Sequence, residues 1–350
     1  MLVTPRFSAA DRVLVVAPHP DDETLAAGIA IQSALEAGAA VRILYVTDGD
    51  NNPWPQRWME KRWSIGPRER ARWGARRREE AARARAMLSV SGRSADARHL
   101  GWQDQGLTDA LMRDDRAVAA LCEELAAFAP TAVLMPALDD RHPDHSALHV
   151  MIELALQQTG SSCQRYCYLV HGARHTIEHT VDAGHFARKA AALEAYVSQL
   201  SLSRRRLHEL AARPERYSAL ATPRAPDIDG SGAMRLPLGQ PGKLPWRHEL
   251  LVVVAARNVT LRLLGTLPRF GGRSEEVVLT DRSTGDAVKV RIVDDTLLVV
   301  PPFLPTTAWA KLHRAGARIV VFDRTRWHGA HDPALPPFPA IGRGVAADLG

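Results

Sequence analysis

Residues 12–23 read RVLVVAPHPDDE, and residues 133–145 read VLMPALDDRHPDH. In both, a short apolar run rich in β-branched residues stops at a proline and soon gives way to a His-Pro-Asp string. Such runs are the pattern of strands buried on both faces. After the first, residues 24–38 (TLAAGIAIQSALEAG) read as a helix. The pattern returns at residues 41–47 (VRILYVT), which run into the loop DGDNNP, then a long Ala/Arg/Glu-rich helix over 68–88. A short strand over 98–102 follows. A helix over 114–128 carries Val118, Leu121, Cys122 and Leu125 at helical spacing, and a strand over 131–135 ends at Pro136. Strands alternating with helices imply βαβ units and a parallel sheet. Sites in open α/β sheets form beyond the carboxyl ends of strands. The polar clusters at 19–23, 48–52 and 139–145 are therefore expected to converge.

Beyond residue 168 the chain reads as mainly helical over 187–212. Residues 222–248 are rich in Pro and Gly and lack periodicity, the pattern of a linker or long loop. Short β-like runs follow (ELLVVVAA, NVTLRLLG, EVVLT, AVKVRIV, TLLVV, RIVVF), interrupted by TAWAKLHRAG, which reads as helical. The expected organisation is one α/β domain over 1–221, a linker over 222–248, and a small β-rich accessory domain over 249–350.

Composition excludes several classes. The 350 residues are 46% hydrophobic and 24% charged, with a net charge of +6 and three cysteines. That is the balance of a folded chain, with too few cysteines for a disulfide scaffold. Cys163 and Cys167 lack a second ligand pair at zinc-finger spacing and read as buried thiols. The first twelve residues lack a secretory signal's apolar core and no apolar run reaches bilayer-spanning length, so a cytoplasmic location without transmembrane segments is expected. Between residues 57 and 85 stand eleven Lys/Arg and four Glu, an excess larger than the net charge of the whole chain. This tract fits a solvated helix face or a docking surface for an anionic partner, peripheral membrane contact included. No nucleic-acid recognition motif accompanies it. Trp54, Trp58, Trp63 and Trp73 lie in the same region and suit either a substrate lid or a packed helix.

Imidazole and carboxylate both suit a divalent cation such as zinc. His19, Asp22 and His145 could form a facial set, with an adjacent carboxylate free to act as general base. A helix N-cap is the competing reading for one of the aspartates. Asp144 could orient His142 and raise its pKa.

APHPDDETLAAG followed by DRHPDH resembles the PIG-L/LmbE-like family of metal-dependent de-N-acetylases. So do Arg77-x-x-Glu80 with Leu88-Ser89-Val90, Leu100-Gly101-Trp102-Gln103-Asp104, and residues 189–199 (KAAALEAYVSQ), in the family's order. The resemblance covers roughly residues 10–215. It implies a Rossmann-like, mostly parallel α/β sheet with helices on both faces and a Zn²⁺ cofactor held by His19, Asp22 and His145. It also implies Asp21 as general base, a cationic His142 acting on the intermediate or leaving amine, and Asp144 supporting His142. The implied substrate is an N-acetylated amino sugar of the N-acetylglucosamine type within a larger glycan or precursor. The basic tract favours a phosphate-bearing or anionic one. Another acylated glycoside or secondary metabolite, or a non-catalytic carbohydrate-binding role, are the alternatives.

Some family members carry tyrosine where this chain has Asp140, so an oxyanion donor besides zinc is unassigned; Arg141 is a candidate. Arg77 either reaches a substrate hydroxyl or phosphate or pairs with Glu80. Asp48 and Asp104 suit either a sugar hydroxyl or a turn.

Overall fold

The computed structural model describes residues 5–172, 183–220, 224–239, 248–267, 274–314 and 322–332. Two sheets organise them. The first contains β1 (Arg12–Ala17), β2 (Ala40–Thr47), β3 (Asp96–Trp102), β4 (Ala132–Pro136), β5 (Gln164–Tyr168) and the short β6 (Tyr217–Ala219). Their order is β3-β2-β1-β4-β5-β6. Every pairing is parallel except β5 with β6. β1 alternates its side chains between two cores. Val13, Val15 and Ala17 pack with α1 (Asp22–Glu36), α3 (Pro67–Met87), α7 (Ala183–Glu194) and α8 (Val197–Ala211). Leu14 and Val16 pack with α4 (Leu107–Arg113), α5 (Arg116–Phe128) and α6 (Pro143–Thr159). Both faces are thus covered by helices, which explains the unbroken apolar runs in the sequence.

The chain reverses its winding between β1 and β4, which are neighbours in space but far apart in sequence. Their adjacent carboxyl ends form the switch point at which α/β sheets place sites. His19 follows β1 by two residues and His142 follows β4 by six.

The second sheet is antiparallel, in the order β14-β13-β8-β9-β10-β11-β12-β7. Its members are β7 (Met234–Pro237), β8 (His248–Ala256), β9 (Val259–Leu267), β10 (Ser274–Asp281), β11 (Ala287–Val293), β12 (Thr296–Val299), β13 (Thr307–Arg314) and β14 (Trp327–Gly329). Two expectations change here. The stretch read as a linker contains β7, which pairs with β12 and buries Met234 and Leu236. TAWAKLHRAG begins as strand β13, not a helix: it is fully registered against β8. Two-residue alternation sends Ala308, Ala310 and Leu312 into the second sheet's own core and Trp309 toward the first domain. RIVVF falls almost wholly on residues outside the described set.

The second sheet also packs directly on the first domain. Leu251, Val253, Ala255, Trp309 and Trp327 share a core with α6. The buried Arg262 donates to the Leu111 carbonyl at 2.7 Å and pairs with Asp115 at 2.6 Å. Among the described residues, no helix is long and apolar enough to cross a membrane.

Candidate metal centre

The two His-Pro-Asp loops enter their helices differently. In the first, Asp21 precedes α1 with φ 121° and ψ −28°, a conformation that side-chain-bearing residues rarely adopt, and Asp22 begins the helix. In the second, His142 is extended (φ −78°, ψ 127°) and Pro143 opens α6, its fixed φ and missing N–H suiting that position. Each loop thereby puts the residue three places after its first histidine in the first helical turn, facing the sheet end.

His19 Nδ1 lies 3.1 Å from Asp22 Oδ2, His145 Nε2 lies 3.2 Å from the same oxygen, and the two ring nitrogens are 3.3 Å apart. Donor atoms bound to one tetrahedral ion at zinc-like bond lengths are separated by about 3.3 Å. The three atoms therefore fit a shared divalent cation. The far nitrogens agree. His19 Nε2 faces Asp104 Oδ1 at 3.1 Å and Asp144 Oδ2 at 3.4 Å, and His145 Nδ1 lies 3.2 Å from Asp140 Oδ2. A carboxylate beyond a histidine favours the proton on the nitrogen it faces and leaves the other as ligand. These side chains are buried. Burial disfavours charge on both rings, yet the surrounding carboxylates outweigh it: His145 is raised to about 10, and His19 well above its usual value. A buried cradle that concentrates this much negative charge calls for a cation. His142 is a further candidate, its ligand atom within 4.8 Å of those of His19 and His145.

Each supporting carboxylate is itself fixed by amides. Asp104 accepts from Asn51 N–H at 2.9 Å. Asp144 accepts from Gln105 N–H at 2.7 Å and Leu107 N–H at 3.1 Å. Asp140 accepts from the N–H groups of His142, Val170 and His171 at 2.9–3.1 Å.

Asp21 stands beside the three-atom set. Burial pushes its carboxyl up to about 7, against the opposing pull of Arg77 and with reinforcement from Asp22. Arg77 is buried and turned toward this loop. It donates to the Gly49 carbonyl at 2.8 Å and to the Pro20 carbonyl, and its Nη2 lies 3.3 Å from Asp21 Oδ2. A Cβ on Gly49 would run into the guanidinium, so a side chain there would displace Arg77 from this position. Of the two roles expected for Arg77, the pairing with Glu80 is not the one adopted. Glu80 instead binds the Ser198 amide at 3.0 Å and its hydroxyl, securing the start of α8.

The expectation for His142 and Asp144 also changes. Burial, then the neighbouring His19 and His145, push His142 down to about 4, so its ring is neutral. The hydrogen bond between the pair runs from the Asp144 backbone N–H to His142 Nδ1 at 3.3 Å, while the Asp144 carboxylate serves His19. An accepting Nδ1 leaves the proton on Nε2.

Asp48 is engaged by Arg78. Arg141 is half-buried, and its backbone joins His171 and Asp323. Two contributors escaped sequence reasoning. Asp140 supports His145 from the position where tyrosine was looked for. The His171 ring lies 5.3 Å from that of His145, centroid to centroid and tilted by 48°, with Phe322 of the C-terminal region 5.2 Å beyond it. His171 follows β5 by three residues, so the strand-end rule that found the other clusters applies to it as well. Trp73 is buried, whereas Trp54, Trp58 and Trp63, on and after α2 (Pro53–Glu60), are exposed. The tract is thus part packed helix and part open surface.

The PIG-L profile, described as GlcNAc-PI de-N-acetylase, matches residues 14–156. A 1D-myo-inositol 2-acetamido-2-deoxy-alpha-D-glucopyranoside deacetylase from Gordonia bronchialis is 32% identical over 168 residues, which covers 43% of this chain and 58% of that protein. One of the same description from Tsukamurella paurometabola is 28% identical over 176 residues, covering 43% of this chain and 57% of that protein. The chain thus spans less than two thirds of the length of these curated relatives. A solved deacetylase triple mutant from the teicoplanin biosynthetic pathway aligns with 59% of this chain and 97% of its own at 23% identity, with a TM-score of 0.47. The profile match begins within β1, ends within α6 and takes in both His-Pro-Asp loops, so residues 14–156 are similar to the PIG-L family.

Proposed function

We propose that the protein is a zinc-dependent hydrolase that removes the acetyl group from the nitrogen of an N-acetylated amino sugar, releasing acetate. The observation that carries this reading is the triangle of His19 Nδ1, Asp22 Oδ2 and His145 Nε2, each pair 3.1–3.3 Å apart. Zn²⁺ held there would supply a Lewis acid for the amide carbonyl and acidify water near neutral pH.

The remaining work falls to the chain's own groups. Asp21, with its proton affinity brought near neutrality, accepts a proton from the attacking water. The same carboxyl, now protonated, returns it to the departing nitrogen, which cannot leave as an amide anion. Arg77 keeps the Asp21 carboxylate and the Pro20 carbonyl in place. His142, neutral and protonated on Nε2, is suited to donate a hydrogen bond to the developing oxyanion. That assignment fills the donor role left open by Asp140 and differs from the cationic acid first expected. Phe322 and the Arg141–Asp323 backbone contact bring the C-terminal region to the rim of this site, where it would shape what the sugar is attached to.

The test combines metal analysis of the purified chain with acetate release from a panel of N-acetylhexosaminides. About one zinc per chain and release of acetate are expected. Bound metal without acetate would move the substrate to another acylated compound, and absence of both would end the hydrolase reading.

A further inference from the structure

His171 has no part in the chemistry above, yet its ring is held from several directions. Its N–H donates to Asp140 Oδ2 at 3.1 Å, and its carbonyl accepts from Arg141 N–H at 3.0 Å. The Arg141 carbonyl in turn accepts from Asp323 N–H at 2.7 Å, and the Asp323 carboxylate is paired with the buried Lys311 of β13. That chain of contacts fixes the neighbouring Phe322, which meets the His171 ring edge-on, with centroids 5.2 Å apart and planes at 67°. The Arg206 guanidinium, from α8, lies 5.0 Å from the Phe322 centroid, and its Nη2 is 3.3 Å from His171 Nδ1. The imidazoles of His145 and His142 lie 5.3 and 5.9 Å from that of His171, between centroids.

These contacts place the proton. A guanidinium only donates, so Nδ1 is the acceptor, the ring is neutral and its hydrogen is on Nε2. One of the ring nitrogens lies within 4.8 Å of possible ligand atoms of Asp22 and His145. With Nδ1 accepting from Arg206 and Nε2 protonated, however, the ring has no lone pair left for an ion. Among the described residues, none accepts the Nε2 proton, and the ring is half-buried. A donor fixed from behind beside a catalytic centre is the kind of polar group that orients a ligand in a pocket.

We propose that His171 Nε2–H donates a hydrogen bond to a ring hydroxyl of the substrate sugar, so that the antiparallel sheet, through Phe322, takes part in selecting the substrate. The inference rests on the deacetylase reading. In that reading the metal and His142 take the acetyl carbonyl, which leaves a sugar hydroxyl as the acceptor for a neighbouring ring. A neutral donor also suits a hydroxyl, whereas phosphate and carboxylate are held best by charged donors.

Steady-state kinetics of the zinc-loaded full chain on a small N-acetylglucosaminide test it, together with zinc affinity from chelator competition. His171→Phe keeps an aromatic ring and removes the donor. It should raise KM about five- to tenfold, the weight of one hydrogen bond, while kcat and zinc affinity change less than about twofold. His171→Gln, whose amide can stand in for Nε2–H, should recover most of that loss. Phe322→Ala should raise KM about threefold at unchanged kcat. Among 3-deoxy, 4-deoxy and 6-deoxy analogues, one should cost the wild type what His171→Phe costs, and His171→Phe should lose nothing further with that analogue. If His171→Phe fails to fold, His171→Ala takes its place in the deoxy series. Wild-type KM in folded His171→Phe, with turnover intact, would overturn the inference and leave the deacetylase reading standing. Loss of zinc in His171→Phe would overturn it as well, by making the ring a ligand. No acetate release by the wild type from any N-acetylhexosaminide would end the deacetylase reading and this inference with it.

Discussion

The same tripeptide, His-Pro-Asp, stands at the carboxyl ends of two adjacent parallel strands, and the structure uses it in two ways. After β1, the first histidine contributes to the three-atom set, the aspartate stands beside that set against Arg77, and the helix starts one residue later. After β4, the first histidine is a neutral helix cap, the aspartate turns its carboxylate to His19, and the helix starts at the proline. Helix entry decides the difference. A strained positive-φ backbone at Asp21 aims its side chain beside the candidate metal position. An ordinary extended cap at His142 lets Asp144 face the amides of Gln105 and Leu107. A motif therefore names the residues of a site, and the backbone that carries it assigns their parts.

Removing a member of the triangle should have the largest effect. His145→Ala or His19→Ala should reduce bound metal to background and acetate release with it, whereas His142→Ala, at the matching place in the second loop, should keep most of the metal and lose activity. Metal quantification on folded protein separates the two loops. If His142→Ala emptied the site as fully as His19→Ala, the loops would be equivalent and the ligand set would have to include His142.

Next comes the aspartate of each tripeptide. Asp21→Asn should retain metal and lower kcat by about 10²–10⁴, the usual contribution of a general base. Asp144→Asn acts through His19 and should weaken metal binding by the roughly 10–100-fold typical of groups that orient a ligand. Titration with a chelator reads the second effect, and single-turnover acetate release reads the first. Asp140→Asn belongs with Asp144→Asn, because it faces the far nitrogen of His145. Wild-type metal affinity in Asp140→Asn would remove its supporting role.

The sequence made the centre of the first sheet readable because β1, β2 and β4 are buried on both faces along most of their length and read as apolar runs. Convergence of the clusters at 19–23 and 139–145 followed from strand order alone. What stayed hidden depended on contacts that periodicity does not encode. Residues 307–314 (TAWAKLHR) mix small, aromatic and charged residues because one face of β13 fills the second sheet while the other carries Trp309 and the buried Lys311, which is paired with Asp323. Residues 234–237 were obscured by flanking prolines and glycines that end strands as often as they mark linkers. The contacts of Arg77 with the Gly49 and Pro20 carbonyls were not legible because no residue spacing announces a carbonyl. For His142 the sequence reading weighed the neighbouring carboxylates and not the burial between two other imidazoles, which lowers its proton affinity.

The smallest expected effect is also the one most specific to the comparison. A residue with a side chain held at φ 121° stores about 1–3 kcal/mol of backbone strain, and Asp21 also keeps a carboxylate buried. Asp21→Gly relieves the strain, although glycine's freedom in the unfolded chain returns about 0.5–1 kcal/mol of that gain. The net expectation is a stabilisation of about 1 kcal/mol, near 2 °C in Tm for a chain of this size, together with loss of activity. Asp144→Gly at the equivalent position of the second loop has no strain to release and strips two buried amides of their acceptor, at about 1–3 kcal/mol each. Thermal melts of the two variants in parallel should therefore move in opposite directions. Two shifts of the same sign would show that Asp21 is held without strain, and that the division of labour between the loops comes from side-chain packing instead of the backbone.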